Sequence, residues 1–226
     1  NGFAVGGFFL PRRQLFRASG LLAAAASAAW YYGARPSSIQ DYFMKEPGTA
    51  RVTVHLLSFA TFFGCSMWVS FVAGLVMFMN LPRHVFGRLQ SKLFPAYFKF
   101  LQVSIGVSLF QDAFGQFISG SNAALMNFTQ FANLGVIFGL LSLNAFVLEP
   151  KTTALMFDRH ELEKKLGTGH EVGQLKSGNP EIDTNPELVK MSKRFGMLHG
   201  LSTSNNLLCL ALGVWHLGWL ASQIVK

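Results

Sequence analysis

The chain has 226 residues, of which 50% are hydrophobic and only 13% are charged, and its formal net charge is +8. Soluble domains carry about 25% charged residues, so this composition indicates an integral membrane protein. Nucleic-acid binding would need a basic face on a soluble domain. Here the basic residues lie in short stretches beside apolar runs, as membrane orientation signals do, so nucleic acid is not an expected partner.

Five apolar segments follow one another along the chain. They cover Leu15–Ala34 and, approximately, Val52–Asn80, Phe94–Ile118, Phe128–Leu148 and Leu198–Val225. The last four reach the roughly 20 residues that a helix needs to cross a bilayer. A backbone inside hydrocarbon must satisfy its own hydrogen bonds. The pattern therefore predicts an all-α, multi-pass transmembrane helix bundle of four helices, preceded by one N-terminal helix.

The N-terminal stretch "PRRQLFRASGLLAAAASAA" combines twin arginines, an apolar run and small residues, as an export or thylakoid-targeting signal does. An ordinary N-terminal helix with basic flanks is the alternative. The chain begins at Asn1 rather than Met, which is compatible with removal of an earlier presequence. We expect residues 1–50 to be an N-terminal extension with one membrane helix, and residues 51–226 to form the four-helix domain.

Connecting stretches rich in lysine and arginine alternate along the chain with stretches that have few. Each span carries the chain to the other side of the membrane, and basic residues gather on one side, so this alternation is what five crossings predict. The N-terminus, the basic stretch Leu81–Phe98 and the polar loop 151–195 should therefore share one side. Within that loop, charges at helical spacing in Asp158–Lys165 predict a short surface helix that continues the fourth segment. Pro186 and Glu187 predict the start of another helix that runs into the fifth segment.

Four ordered motifs between about Val52 and Leu212 resemble the transmembrane protein 205 family. They are "VHLLSFATFFGCSMWVSFVAGLVMF", "LPRHVFGRLQSKLFPAYF", "LEPKTTALMFDR" and "FGMLHGLSTSNNLLCL". The resemblance implies a four-span helical membrane protein of poorly defined function. The matching positions are His55, Trp68, Phe71, Gly74, Pro82, Arg83, Gly87, Gln90, Lys92, Pro95, Glu149, Pro150, Thr153, His199, Gly200, Ser202 and Asn206. The N-terminal extension, Asp112 and His216 depart from the family pattern.

The expected topology brings several polar positions to the basic side of the membrane. These are Arg83, His84, Gln90, Lys92, Glu149, His199, Ser202 and Asn206. Partly buried ionisable groups at helix ends are usually paired, so we expect Glu149 to pair with Arg83 or Lys92. Such a cluster has two interpretations. It is either a structural clamp that satisfies helix ends or a site for a lipid head group, an anion or a small ligand.

Two histidines, His55 and His216, and one acidic residue, Asp112, lie within the predicted spans. His216 follows His199 by about 25 Å along a helix, which places it at about the depth of His55. The two could form a bis-histidine cofactor site, although Trp215, His216 and Trp219 also fit an interfacial aromatic belt. Asp112 is the one acid inside a predicted span, so it either has a proton or ion role or reaches water or a partner near the following connector. The sequence contains no recognised metal-ligand spacing, and we expect no metal site.

The sequence contains no nucleophile or acid–base constellation, so we expect a protein that is not an enzyme. The favoured function is an accessory or scaffold subunit of a larger membrane complex, with lipids and other integral membrane subunits as partners. An organelle is expected, with a thylakoid photosystem complex slightly ahead of the mitochondrial inner membrane. Bound lipid is expected, and chlorophyll, carotenoid or haem is compatible with His55 and His216. A small transporter, channel or lipid- or small-ligand-handling protein built on the basic-side cluster is the alternative.

Overall fold

Long helices dominate the computed structural model, which describes residues 47–119 and 126–225. In chain order they are α1 (Pro47–Trp68), a π-helical turn (Val69–Ala73), α2 (Gly74–Asn80), α3 (Arg83–Ser119), α4 (Phe128–Leu143), a second π-helical turn (Asn144–Leu148), α5 (Glu149–Lys165), α6 (Pro180–Asp183) and α7 (Pro186–Ile224). The expected N-terminal helix Leu15–Ala34 lies outside the described residues.

Four helical stretches in the described part are long and apolar enough to span a membrane. They are Thr49–Asn80, Arg83–Gly115, Phe128–Lys165 and Pro186–Ile224. The all-α, multi-pass class is therefore confirmed. The third and fourth have 38 and 39 residues, or about 57 Å each, whereas a hydrocarbon core is about 30 Å thick. Their charged ends must extend beyond the lipid, and we call this extension the headpiece (residues 83–90 and 149–195).

Local sequence explains where these helices start and stop. Leu81 is extended after α2, because the ring of a following proline, here Pro82, disfavours helical backbone in the residue before it. Asn127 caps α4 by accepting a hydrogen bond from the backbone of Gln130. Asn185 caps α7 in the same way, just before a proline at the first helical turn.

The basic stretch after α2 is a helix rather than a connector. We expected the third segment to begin near Phe94, but α3 begins at Arg83 and contains Pro95 in its interior. The expected continuation of the fourth segment through Lys165 and the helix beginning at Pro186 are both confirmed.

The π-helical turn Asn144–Leu148 ends two positions before Pro150, which is the second residue of α5. Pro150 has no N–H with which to continue the α-helical ladder, and its ring crowds the preceding turn. A locally widened turn relieves that crowding and lets α4 continue into α5.

Aromatic and aliphatic side chains fill the centre of the bundle. α4 packs against both α3 and α7, whereas α1 reaches the core through large side chains such as Phe59 and Phe62. Phe62 is fully buried, and Gly213 on α7 leaves room for its ring. The buried cluster consists of Phe59, Phe62, Tyr97, Phe98, Leu101, Ile105, Met126, Leu134, Ile137, Leu141 and Cys209.

Asparagine side chains bind α7 to α4 and to the π-helical turn that follows α4. Asn133 donates to the carbonyl of Leu212 over 3.1 Å, Asn144 to that of Ser202 over 3.2 Å, and Asn205 to that of Leu140 over 2.7 Å. Interhelical hydrogen bonds of this kind hold membrane helices together where no hydrophobic driving force acts between them. They therefore hold the fourth span against the third at three levels.

Two phenylalanines of the first span offer a matched test of this packing. We expect Phe62→Ala, which empties a fully buried site, to lower the free energy of unfolding by about 3–5 kcal/mol. Phe71→Ala should cost far less, because Phe71 is 51% exposed on the outer surface. Reversible unfolding in detergent micelles measures both, and equal losses would contradict the assigned core.

Candidate functional site

A buried carboxylate forms the centre of the headpiece. Glu163 on α5 accepts a hydrogen bond from Nε of Arg159 over 2.8 Å and lies 3.3 Å from Nη2 of Arg83 through the same oxygen, Oε1. Its other oxygen, Oε2, is 2.7 Å from Nε2 of His84. The Glu163 side chain is 1% exposed, so the two arginines and the hydrogen-bonded His84 are what makes its charge tolerable away from water.

The loop after α5 is fastened to the beginning of α3. The first helical N–H groups of a helix lack partners inside it, and here two of them donate to loop carbonyls. Arg83 N donates to Glu171 over 3.0 Å, and His84 N to Gly169 over 3.1 Å. The Arg83 guanidinium also donates to the carbonyl of Leu175 over 2.8 Å. The loop is therefore held in place by contacts within the chain.

Glu171 contributes a second charge to this attachment. It accepts hydrogen bonds from the Thr168 hydroxyl and, over 2.9 Å, from the backbone of Gly169, and it lies 3.2 Å from Arg83. Burial opposes ionisation, but the hydrogen bonds from Thr168 and the backbone, together with Arg83, lower the pKa of Glu171 below its usual value. The attachment is thus strongest where Glu171 is ionised, and it weakens as the pH falls through that lowered pKa.

Two glycines let the histidines of the headpiece approach each other. Gly87 lies one turn after His84, and a Cβ there would be 2.5 Å from Cε1 of His160. Gly169 has a φ of +102°, and a Cβ there would collide with the His84 ring. With both glycines in place, the rings of His84 and His160 have their centroids 4.3 Å apart.

A second polar site lies inside the bundle, near the opposite end. Nε2 of His55 is 2.9 Å from Nε2 of His216, and Nδ1 of His216 is 3.0 Å from Oε1 of Gln130. All three side chains are buried, on α1, α7 and α4 respectively. The structure therefore brings His55 and His216 together at one depth.

The contacts around this pair define the direction of its hydrogen bonds. Because Gln130 presents an acceptor oxygen, a neutral His216 carries its proton on Nδ1 and accepts at Nε2 from His55. The two Nε2 atoms are in direct contact, which leaves no room for a haem iron between them. Asp112 is fully buried nearby, close enough to His55 for an electrostatic interaction, and accepts a hydrogen bond from Met126 N over 3.2 Å.

The positions expected to form one cluster on the basic side are distributed over several levels. Arg83 and His84 lie in the headpiece contacts, so the expected pairing of Glu149 with Arg83 or Lys92 is wrong: Arg83 pairs with Glu163 and Glu171. Glu149 instead accepts a hydrogen bond from Thr153 over 2.7 Å. Glu149 is 14 positions before Glu163, which is about 21 Å along the helix.

The remaining members have separate environments. His199 is exposed and stacks on Phe195. Ser202 contributes its carbonyl to the bond from Asn144. Asn206 lies in the bundle, where it accepts a hydrogen bond from Tyr97 over 3.0 Å and donates to Ser70 over 2.8 Å. The side chains of Gln90 and Lys92 form no hydrogen bond or ion pair with any other residue in ranges 47–119 and 126–225.

Sequence reasoning missed the residues at the centre of the headpiece. His160 and Glu163 were expected on a short surface helix and Glu171 in the polar loop 151–195, and none of the three was named as a site residue. The available signal was the spacing of His160 and Glu163, which places both on one face of a helix. The partner on that face, His84, comes from a different helix, and no local pattern identifies it.

Fold and polar sites together define a multi-pass membrane protein with four helical spans in its described part and a folded, charged headpiece. Residues 57–161 match a domain of unknown function, DUF4149. Transmembrane protein 205 of Danio rerio is 31% identical over 175 residues, which covers 73% of this chain and 89% of the relative. The chain belongs to the transmembrane protein 205 family. No solved structure matches it.

Alanine substitutions at two glycines of the loop distinguish the cost of backbone strain from the cost of a steric collision. Gly167→Ala introduces a side chain at a φ of +72° into open space, whereas Gly169→Ala adds a collision with His84 to the same kind of strain. We expect Gly169→Ala to be the more destabilising by about 1–3 kcal/mol. Thermal unfolding in detergent compares the two, and equal midpoints would contradict the close packing of the loop on His84.

The hydrogen bond between Gln130 and His216 can be tested by a double-mutant cycle. Gln130→Leu removes the partner of His216 Nδ1, so we expect a loss of about 1–2 kcal/mol of unfolding free energy. The double variant with His216→Phe should lose less than the sum of the two single changes. Strict additivity in the same unfolding assay would show that the two side chains do not interact.

Proposed function

We propose that this protein is a non-catalytic accessory subunit that binds other integral membrane proteins through its headpiece. The observation that supports this proposal concerns Leu175. Its carbonyl accepts a hydrogen bond from Arg83, while its side chain is 74% exposed. The headpiece extends beyond the hydrocarbon, so lipid tails do not cover this side chain. A fixed, outward-facing apolar residue with charged neighbours matches the apolar centre and polar rim of a protein interface.

The attachment of the loop lowers the cost of such binding. A mobile loop would have to be ordered by its partner, and that ordering costs free energy. Here the contacts of Arg83 and His84 with the loop backbone have already ordered it. Val172, in the same loop and 44% exposed, is a second outward-facing apolar residue of the headpiece.

The membrane-facing surface is compatible with lateral packing against lipid or other helices. Trp68, Phe71, Leu75 and Met79 follow one face of the first span, and each is more than half exposed. An open groove of about 510 Å³ lies between α3 and α4, lined mainly by apolar side chains with Gln102 and Ser142. Its mainly apolar lining suits a segment of a lipid acyl chain or of a carotenoid.

An organelle membrane is the proposed location, with the thylakoid slightly ahead of the mitochondrial inner membrane. Its support is the twin-arginine style of the N-terminal stretch alone. Chlorophyll binding at the histidine pair would require His55 and His216 to separate. Fractionation of native membranes, followed by detection of the chain beside thylakoid and inner-membrane markers, tests the location.

A second candidate function is the handling of protons or small solutes across the membrane. The observation that favours it is the buried pair His55 and His216 with Asp112 nearby, because ionisable groups inside a bundle commonly mark proton or ion pathways. Flux in proteoliposomes tests it, with His216→Phe as the variant. Flux that depends on His216, together with undisturbed co-purification, would favour this function over the subunit.

Two neighbouring substitutions test the proposed interface. Leu175→Asp should reduce co-purification of partner subunits from native membrane extracts by at least about fivefold, equivalent to about 1 kcal/mol. Gln174→Asp adds the same charge one position earlier, on another exposed residue, and should leave co-purification unchanged. Quantitative mass spectrometry of the purified material measures both.

The control variant Gln174→Asp decides how a loss of co-purification in Leu175→Asp is interpreted. An equal loss in both variants would indicate a general charge effect on the headpiece, and no loss in either would contradict the interface. Both side chains are exposed and the Arg83 bond uses the backbone of residue 175, so the folded headpiece should survive both changes.

A further inference from the structure

Three buried side chains of the headpiece form a set of metal-type ligands. His84, His160 and Glu163 each offer one donor atom, and these atoms all lie within 4.8 Å of one another. His84 comes from the first turn of α3, and the other two come from one face of α5. A third imidazole, that of the exposed His170, has its ring centroid 6.1 Å from that of His84.

The salt-bridge network accounts for the burial of His84 and Glu163, but it does not include His160. Its ring is 7% exposed, yet it forms no hydrogen bond with another residue of the described chain. Its contacts are with the rings of His84 and Phe157. A cavity of about 100 Å³, lined in part by His84, His160 and Phe157, lies beside this ring.

We propose that His84, His160 and Glu163 bind one divalent transition-metal ion of the zinc class, with His170 as an additional ligand from the loop. Two imidazoles and a carboxylate are a ligand set that suits Zn²⁺. Spacing of i and i+3 places His160 and Glu163 side by side on α5, as in metal sites built between facing helices.

The two oxygens of Glu163 have separate partners, which permits metal binding beside the arginines. Oε1 faces Arg83 and Arg159, and Oε2 faces His84. A metal ion between Oε2 and Nε2 of His84 replaces the proton now held between them and leaves the arginine contacts in place. Ligand atoms on one tetrahedral Zn²⁺ are about 3.3 Å apart, so this pair must open from 2.7 Å by a small rotation.

The glycines around the site make the approach of its ligands possible. Any larger residue at Gly87 would displace His160, and any larger residue at Gly169 would displace His84. His170 follows Gly169 directly, so the positive φ of Gly169 helps to place that imidazole on the same side as His84.

Metal titration of the full chain tests the proposal. The protein is purified in detergent with a histidine-free affinity tag, and Co²⁺ and Zn²⁺ are titrated by visible absorption and by calorimetry. We expect one equivalent per chain, tetrahedral Co²⁺ absorption, and X-ray absorption of the zinc-loaded protein with scattering from at least two imidazoles. Saturating Zn²⁺ should also raise the unfolding midpoint by a few degrees.

Histidine variants locate the site. His160→Gln should weaken binding by at least about tenfold, because it removes a ligand without breaking any hydrogen bond of the headpiece. His170→Gln should weaken binding by a smaller factor. His199→Gln alters an exposed histidine of α7 outside the cluster, and it should bind the metal as the unmodified chain does.

Three outcomes would overturn the proposal. The first is no stoichiometric binding by the unmodified chain, and the second is equal affinity in His160→Gln and His199→Gln. The third, which requires no variant, is X-ray absorption of the zinc-loaded chain without imidazole scattering. Co-purification assays of Leu175→Asp are independent of all three, so failure here leaves the proposed subunit function to its own test.

Discussion

The difference between helix length and bilayer thickness is the constraint on which this structure depends. Inside hydrocarbon a chain must satisfy its backbone hydrogen bonds locally, so each crossing is a helix. The two longest, Phe128–Lys165 and Pro186–Ile224, are nearly twice as long as the hydrocarbon is thick. Their charged ends therefore stand in water beside the first turns of α3. That arrangement creates a headpiece in which side chains from α3, α5 and the loop after α5 meet.

One carboxylate organises the headpiece. Glu163 joins Arg159 on its own helix to Arg83 and His84 on another, and Arg83 in turn holds the loop through Glu171 and Leu175. Burial makes this arrangement interdependent, because a charge without its partner is costly away from water. The same contacts fix the backbone of Leu175, whose side chain faces outward. They also hold His84 close to His160.

The polar groups inside the bundle have a different character. The asparagines on the third and fourth spans donate to backbone carbonyls of the facing helix, and Asn206 joins Tyr97 to Ser70. These contacts support the structural-clamp interpretation for that part of the expected cluster. The pair of His55 and His216 differs, since two ionisable rings in direct contact at the end of the bundle are more than packing requires.

Sequence by itself determined the fold class, the four spans, the helical extension through Lys165 and the capped start at Pro186, because each depends on local properties such as length, hydropathy and capping. It also placed His55 and His216 at a similar depth, since rise per residue along a helix is constant. Only the tertiary structure decided which charges meet. The pairing of Arg83 with Glu163, and not with Glu149, depends on how far two helices extend past one another and how they are rotated. Those quantities are determined by packing between elements distant in the chain, for which a single sequence carries no local signal.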